Sequence, residues 1–180
     1  ERQALKLNEP SILVINHTSH LDGPVVTTMF SKDVIHNRAA KDRFEQRGFG
    51  FFLRNTGCIP IDRKNPDLSW VHESLRILHQ EKENIAIFPE GTRSKTGEIQ
   101  RFKGGAFALA KEAGVEILPV VMEGTTKIFK PKSFWFNWKH CLTLKVLPPI
   151  SAEKVAQTDT TELANEVREM MVGALAEIRK

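Results

Sequence analysis

The feature of this sequence that most constrains its fold is the alternation of short apolar runs with segments of helical periodicity. The apolar runs lie at residues 11–16, 34–40, 57–61, 84–88, 115–122 and 142–147. Strand-forming runs that alternate with helices are typical of an α/β fold, in which helices cover the faces of one sheet. Residues 12–15 and 85–88 contain no alternating polar positions, so we expect these two strands to be covered on both faces.

Helical periodicity and helix-end signals predict four helices. Pro24 is expected as the first residue of a helix that extends to about residue 30. Residues 65–67 start a second helix, and residues 104–113 form a third, which Gly114 closes. Asp159 is expected to cap a C-terminal helix whose apolar stripe packs in the core. This stripe consists of Leu163, Val167, Met170, Met171, Ala174, Leu175 and Ile178.

Length and composition fit one globular domain over residues 1–180. The chain has 180 residues, of which 41% are hydrophobic and 27% are charged, with no internal repeat and no linker-like stretch. Its mean hydropathy is −0.30, and no apolar run approaches the roughly 18–20 residues that span a bilayer, so no transmembrane helix is expected. Only two cysteines are present, which excludes a disulfide scaffold and favours a reducing compartment.

The charge balance favours anionic partners. The net charge is +4 and the isoelectric point is about 9.1, which suits nucleic acid, anionic lipid or phosphorylated metabolites. The sequence has no tyrosine, no Arg-rich helix and no aromatic–basic RNA motif. Nucleic acid is therefore the weakest of the three options.

A strand–turn–helix near the N-terminus carries the most informative pair of polar residues. His17 and Asp22 are five residues apart, and this spacing keeps them apart on a regular helix or strand. Only a turn at the end of the strand brings the carboxylate to the imidazole. A carboxylate that accepts the Nδ1 proton leaves Nε2 as a base for a substrate hydroxyl.

Three other roles are open for the polar residues of these turns. His17 and Asp22 could only cap the turn and the helix. Ser19 or Ser94 could be a nucleophile, but neither lies in a G-x-S-x-G motif. His17, His20 and Asp22 could bind a metal, but their spacing matches no familiar zinc pattern, and we expect no metal.

A second strand end carries residues suited to binding an anion. Residues 84–88 lead into a turn in which Gly91 exposes backbone N–H groups and Arg93 supplies a bidentate donor. Lys103 precedes a predicted helix whose N-terminus favours an anion, and Arg63 follows another predicted strand. If these strand ends meet at one edge of the sheet, the three cations form one anion pocket.

Four segments in this order resemble the sequence blocks of the glycerolipid acyltransferases. Residues 16–22 (NHTSHLD) resemble the N-H-x-x-x-x-D signature, and residues 57–63 (GCIPIDR) resemble the second block. Residues 88–94 (FPEGTRS) are similar to the third block, and residues 115–124 (VEILPVVMEG) to the fourth, which centres on a proline. The resemblance is strongest to the bacterial 1-acylglycerol-3-phosphate (lysophosphatidic acid) acyltransferases.

The resemblance implies a fold and an activity. The fold is a single α/β domain of the glycerol-3-phosphate acyltransferase type, with a central mixed β-sheet flanked by helices. The activity is transfer of a fatty acyl group from acyl-CoA or acyl carrier protein to the free hydroxyl of a lysophospholipid, above all 1-acylglycerol-3-phosphate. By this resemblance His17 is the base and Asp22 is its orienting partner. No cofactor is implied, since the acyl donor is a co-substrate.

The resemblance also assigns residues to substrate binding. The blocks associated with the acceptor and its phosphate contain Arg63, Glu90, Gly91, Thr92, Arg93 and Lys103. Pro119 lies in the fourth block, which the family associates with catalysis or the acyl donor. The sequence departs from the family at Pro60, which interrupts the second block, and at Gly104, where a second lysine is common.

A lipid acceptor requires contact with a membrane, and two aromatic segments are candidates for that contact. Residues 127–139 interleave aromatic side chains with lysines, a composition suited to the interface of an anionic bilayer. The docking residues in this segment are Phe134, Trp135, Phe136 and Trp138. Residues 44–53 are the second candidate. For both segments, aromatic side chains in the core with solvated lysines are the alternative.

The resemblance implies a cytoplasmic enzyme that is peripheral on the inner face of the cell membrane. Family members commonly have N-terminal hydrophobic helices before the first block, whereas sixteen residues precede His17 here. A membrane anchor is therefore expected to be absent or to lie outside this sequence. The alternatives are an acyltransferase for a lysolipid with an ethanolamine, glycerol or amino-acid headgroup, a thioesterase, and a lipid-binding module without catalysis.

Overall fold

A six-stranded mixed sheet carries the fold in the described part of the chain. The computed structural model describes residues 7, 9–19, 21–30, 33–62, 68–128, 137 and 139–180. The strands are β1 (Ser11–Ile15), β2 (Ile35–Ala40), β3 (Ile59–Ile61), β4 (Asn84–Ile87), β5 (Glu116–Glu123) and β6 (Thr143–Val146). Their order is β3-β2-β4-β1-β5-β6, with β6 antiparallel to β5 and the other neighbours parallel. The predicted α/β fold with a mixed central sheet is therefore confirmed.

The helices lie between the strands and after the last strand. They are α1 (Asp22–Met29), α2 (Phe49–Asn55), α3 (Ser69–Arg76), α4 (Gly105–Ala113), α5 (Thr125–Ile128), α6 (Ala152–Gln157) and α7 (Thr160–Ile178). A 3₁₀ turn (Lys41–Glu45) precedes α2, and a π-helical turn (Ile77–Glu81) continues α3. Among the described residues, no helix combines the length and the apolar character needed to cross a bilayer.

The strands at the centre of the sheet are buried on both faces. All residues of β1 and all residues of β4 are buried. Ile12 and Val14 pack with side chains of α4 and α7 on one face of the sheet. Leu13 and Ile15 pack with Val26 of α1 on the other face. Burial on two faces explains why these runs lack polar alternation, as predicted.

Helix α7 covers one of these faces with its predicted apolar stripe. Buried positions of the stripe are Leu163, Val167, Met171, Ala174 and Leu175, and Met170 and Ile178 are partly buried against the same cluster. The role of the stripe in the core is therefore confirmed. The predicted end of α4 is confirmed as well, because Gly114 adopts a left-handed backbone with a φ of 63°.

The start of α1 differs from the prediction. The helix begins at Asp22, and Pro24 is its third residue, so the expectation that Pro24 is the first is wrong. The N–H of Val25 donates to the carbonyl of Leu21 at 2.9 Å. The N–H groups before it have no intrahelical acceptor, so a proline in the first turn loses no hydrogen bond. The predicted helix start at residues 65–67 lies outside the described residues.

Asp159 caps α7 as predicted. Its Oδ1 accepts the N–H of Thr161 at 2.8 Å and the N–H of Glu162 at 3.2 Å. The hydrogen bonds from Glu162 and Thr161 lower the pKa of Asp159. Because the folded-state pKa lies below the unfolded-state pKa, the stabilisation is present above the unfolded-state pKa and is lost as the pH falls through the folded-state pKa.

We expect the Asp159→Ala variant to melt at a lower temperature than the wild type at neutral pH, because two N–H groups lose their acceptor. The difference shrinks as the pH falls below about 4, because the stabilisation is lost as the pH passes through the lowered pKa of the folded-state carboxylate. Calorimetry over this pH series measures the effect. Asp159→Asn is the matched control, because it keeps an acceptor without titrating and retains its advantage over alanine at low pH. A wild-type advantage independent of pH contradicts the prediction.

Candidate active site

The turn that follows β1 brings His17 and Asp22 into contact. Oδ2 of Asp22 lies 2.9 Å from Nδ1 of His17. The backbone N–H groups of Thr18 and Ser19 donate to the same oxygen, each at 2.7 Å. The side chain of Asp22 is fully buried at the start of α1. The predicted contact through a turn is therefore present, and the carboxylate also fixes the backbone of that turn.

The contact with Asp22 determines which imidazole nitrogen can act as a base. A carboxylate only accepts hydrogen bonds, so the proton of the neutral imidazole lies on Nδ1 and the lone pair on Nε2. The ring of His17 stacks on Phe88 with 4.4 Å between the ring centroids. The side chain of His17 is 22% exposed, whereas that of Asp22 is 0% exposed. The base is thus held by the protein and accessible to a substrate.

Glu90 holds the backbone of His17 from the turn after β4. Its Oε1 accepts the N–H of His17 at 2.8 Å, and its Oε2 accepts the N–H of Gln100 at 3.0 Å. The N–H of Ser94 donates to the carbonyl of His17 at 2.7 Å. Burial raises the pKa of Glu90, and the two N–H groups act in the opposite direction. These contacts make Glu90 a positioning residue for His17, and its contact with an acceptor stays a prediction.

Asn16 is a site residue to which sequence reasoning gave no role. Its Oδ1 accepts the N–H of Met122 at 2.7 Å, and its Nδ2 donates to the carbonyl of Met122 at 2.9 Å. The side chain thereby continues the pairing of β1 with β5 by one step, just before His17. In the sequence, the signal for this role was the position of Asn16 at the end of an apolar run and directly before the histidine.

His17 lies where two cavities meet. The first cavity, of about 260 Å³, is lined by α1, β2 and α2. The second, of about 530 Å³, is lined by the ends of β3 and β4, by α3 and by the start of α4. The residues that line both cavities are His17, Arg38, Phe88, Gly91 and Thr92. Two substrates that occupy the two cavities can therefore meet at the imidazole.

The predicted anion-binding residues are divided between these cavities. Arg93 lines the first cavity and Lys103 lines the second. Gly91 and Thr92 form the boundary that both cavities share. Arg93 and Lys103 thus line two adjoining cavities that share this turn, and their binding of one phosphate stays a prediction. Arg63 lies outside the described residues.

The turn at Gly91 favours glycine. Its φ is 73°, in the left-handed region that side chains rarely adopt. A β-carbon at this position would lie 2.8 Å from Nζ of Lys103. The ammonium group of Lys103 therefore lies directly against the turn that both cavities share.

Several other candidate residues lie away from the cavities. Pro119 lies within β5 opposite Val14, and it lines neither of the two cavities described here. Ser19 and Ser94 are buried and line neither of these cavities. All four predicted docking residues lie outside the described part of the chain. They are Phe134, Trp135, Phe136 and Trp138.

One group of possible metal ligands occurs among the described residues, and it lies elsewhere. His36, Glu81 and Glu83 bring their ligand atoms within 4.8 Å of one another. Nε2 of His36 lies 2.6 Å from Oε2 of Glu83, and its Nδ1 lies 2.8 Å from the carbonyl of Gly57. Neither of the two cavities at His17 is lined by this group.

Arg38 is a second residue that sequence reasoning missed. It lies near the carboxyl end of β2 and lines both cavities. Its guanidinium carbon lies 3.9 Å from the centroid of the Trp70 ring. The only local signal for Arg38 was a cation near the end of a predicted strand, since Arg38 and Trp70 lie outside the four sequence blocks.

Comparison with known proteins relates this site to a family. The family model described as Acyltransferase matches residues 1–123. The 1-acyl-sn-glycerol-3-phosphate acyltransferase of Saccharomyces cerevisiae is 33% identical over 94% of this chain and 57% of its own length. The 1-acyl-sn-glycerol-3-phosphate acyltransferase alpha of Homo sapiens is 32% identical over 95% of this chain and 60% of its own length. The chain thus spans somewhat less than two thirds of these relatives.

The fold has a counterpart among solved structures. The crystal structure of the 1-acyl-sn-glycerophosphate (LPA) acyltransferase PlsC from Thermotoga maritima matches 98% of this chain and 69% of its own chain, with a TM-score of 0.77. The sequence identity is 23%, so this likeness concerns the fold alone. The family model covers the His17–Asp22 turn, the Glu90 turn and all of β5. The chain therefore belongs to the acyltransferase family.

Proposed function

We propose that this chain transfers a fatty acyl group from a thioester donor to the free hydroxyl of a lysophospholipid. The proposed acceptor is 1-acylglycerol-3-phosphate, the product is phosphatidic acid, and the donor is acyl-CoA or acyl carrier protein. The observation that carries the proposal is the imidazole of His17, which Asp22 orients at the junction of two cavities. The names of the relatives from Saccharomyces cerevisiae and Homo sapiens support this choice of acceptor.

The transfer needs one base and no acyl-enzyme. Nε2 of His17 takes the proton of the acceptor hydroxyl while the hydroxyl oxygen attacks the thioester carbonyl. Asp22 stabilises the imidazolium that results. The attack forms the new C–O bond of a tetrahedral intermediate, and collapse of this intermediate restores the carbonyl and breaks the C–S bond. The thiolate leaves and receives the proton from Nε2, so the base is restored.

The surroundings of His17 suit the charges that this reaction develops. Gly23 lines the first cavity at the start of α1, where a backbone N–H and the helix dipole favour an oxyanion. Pro24 lines the same cavity and has no N–H to offer. Arg93 and Lys103, with Arg63, are proposed to hold the phosphate of the acceptor, so that its hydroxyl lies about 3 Å from the base.

Because the proposed acceptor is a lipid, the active site has to reach an anionic membrane surface. We propose that the chain acts as a peripheral protein on the inner face of the cell membrane. Residues 127–139 have the composition of an interfacial segment. In the second candidate segment, the side chain of Phe51 on α2 is 67% exposed, although it is large and apolar.

Replacement of the base tests the proposed reaction directly. His17→Ala should lower the rate of acyl transfer about 10²- to 10⁴-fold, because the acceptor hydroxyl loses its base. Asp22→Asn should give a loss of similar order, because the amide cannot stabilise an imidazolium. The transfer rates of both variants are measured by mass spectrometry of the lipid products formed from acyl-CoA and lysophosphatidic acid.

His72, an exposed histidine of α3, provides the matched control His72→Ala, which should leave the rate unchanged. Circular dichroism shows whether each variant keeps the fold. Turnover of His17→Ala at the wild-type rate contradicts the mechanism. Thioester consumption that needs no lysolipid contradicts the proposed acceptor and indicates a thioesterase.

Glu90→Gln separates positioning of His17 from contact with substrate. The amide NH₂ would meet a backbone N–H, so one buried donor loses its acceptor at a cost of about 1–3 kcal/mol in stability. We expect a lower kcat with little change in the KM for the acceptor, because the base is displaced. Glu112→Gln, at an exposed position of α4, is the control. A raised acceptor KM with unchanged kcat and melting temperature would instead show that Glu90 contacts the acceptor.

Vesicle binding tests the proposed membrane contact. We expect Trp135→Ala combined with Trp138→Ala to reduce co-sedimentation with vesicles that contain anionic lipid, because interfacial aromatic side chains are lost. Phe51→Ser provides the same test for the second segment. Vesicles of zwitterionic lipid alone serve as the control for the role of charge. Undiminished binding of a variant removes its segment from the membrane contact.

A further inference from the structure

Helix α7 holds the segment that follows the Glu90 turn, in addition to its role in the core. Nη2 of Arg168 donates to the carbonyl of Ile99 at 2.9 Å, and its Nε donates to the carbonyl of Gln100 at 2.9 Å. The planar guanidinium thus binds two successive carbonyl groups, which fixes the direction of the backbone between them. Arg168 lies outside the four sequence blocks and lines neither of the two described cavities.

The peptide group between Ile99 and Gln100 connects this arginine with Glu90. Its carbonyl accepts from Arg168, and its N–H donates to Oε2 of Glu90 at 3.0 Å. The carbonyl and the N–H of a trans peptide point in opposite directions, so the negative end of its dipole faces the cation and the positive end faces the carboxylate. Hydrogen bonds arranged in such a chain polarise and strengthen one another.

Glu90 transmits this constraint to the proposed base. The residue is only 4% exposed, and its other oxygen, Oε1, accepts the N–H of His17 at 2.8 Å. Because each carboxylate oxygen binds one backbone N–H, the group cannot rotate without the loss of a hydrogen bond. A series of hydrogen bonds therefore runs from Arg168 through the Ile99–Gln100 peptide and Glu90 to the backbone of His17.

A second arginine, which follows α7, holds the same segment at a different point. Nη2 of Arg179 donates to the carbonyl of Gly97 at 2.8 Å, and its Nη1 donates to Oε1 of Glu98 at 2.6 Å. Arg179 also forms an ion pair with Glu123 at 3.0 Å. These contacts involve residues 97, 98 and 123, and not the peptide that binds Glu90. Arg179 is therefore a comparable anchor of this segment that does not belong to the series.

We propose that Arg168 is a positioning residue for the base, which acts through the Ile99–Gln100 peptide and Glu90 to hold His17 at the junction of the two cavities. The proposal rests on the proposed function, because His17 is the proposed base. Small displacements of a reacting group slow a reaction strongly, even when their origin lies far from the chemistry. Since Arg168 lines neither described cavity, its loss should change turnover and not substrate binding.

Arg168→Met tests the proposal, because methionine keeps an apolar stem on α7 and removes the guanidinium. We expect kcat to fall about 3- to 10-fold, which corresponds to one net hydrogen bond, with little change in the KM for acyl-CoA or lysophosphatidic acid. Arg168→Lys keeps a cation and should retain more of the wild-type kcat. The matched control Arg179→Met should lower the melting temperature without a fall in kcat. An unchanged kcat in Arg168→Met, or an equal fall in Arg179→Met, overturns the proposal.

A double variant shows whether Arg168 acts through Glu90. Glu90→Gln already interrupts the series, because the NH₂ of the amide cannot accept an N–H. We therefore expect Arg168→Met to lower kcat by less than about twofold in the Glu90→Gln background, a departure from additivity that indicates a shared route. The same fall in kcat in both backgrounds means that Arg168 acts independently of Glu90, and it contradicts the proposal.

Hydrogen exchange of backbone amides tests the series without turnover. We expect Arg168→Met to speed exchange at the amides of Gln100 and His17 about 3- to 10-fold. The amide of Leu147, which donates to the carbonyl of Pro119, is the reference for opening elsewhere in the fold. Faster exchange relative to this reference supports the series even if the wild type transfers no acyl group, in which case the proposed function alone fails. Unchanged relative exchange at both amides overturns the proposal. If Arg168→Met does not fold, Arg168→Lys is compared with the wild type.

Discussion

The buried carboxylate of Asp22 is the interaction on which the site depends. Removal of a carboxylate from water costs several kcal/mol, and hydrogen bonds to the charged group offset this cost at about 1.5–3 kcal/mol each. Asp22 Oδ2 accepts three such bonds, from Nδ1 of His17 and from the backbone of Thr18 and Ser19. The same group therefore closes the turn, fixes the imidazole tautomer and supplies charge for the imidazolium.

The parallel sheet brings distant segments to this turn. The carboxyl ends of parallel strands lie at one edge of a sheet, where α/β proteins place their ligands. β1 delivers His17, β4 delivers Glu90 and the turn at Gly91, and β2 delivers Arg38. The two cavities at this edge meet at the imidazole. The topology thus explains how one imidazole comes to line two adjoining cavities.

Local sequence signals predicted the strands, the cap at Asp159 and the His17–Asp22 contact, because each depends on residues close in sequence. The apolar runs of β1 and β4 showed burial on two faces, and the five-residue spacing required a turn. The stack of Arg38 on Trp70 was not predictable, because β2 and α3 approach each other only in the folded chain. The division of the cations between two cavities escaped prediction for the same reason.

The protonation of the His17 ring tests the central claim most directly. Long-range ¹H–¹⁵N correlation spectra distinguish a protonated from an unprotonated ring nitrogen, and the His17→Ala spectrum identifies the signals. We expect the neutral ring to carry its proton on Nδ1, with Nε2 unprotonated, and Asp22→Ala to abolish this preference. A wild-type ring with the proton on Nε2, or a tautomer unchanged by loss of the carboxylate, contradicts the account.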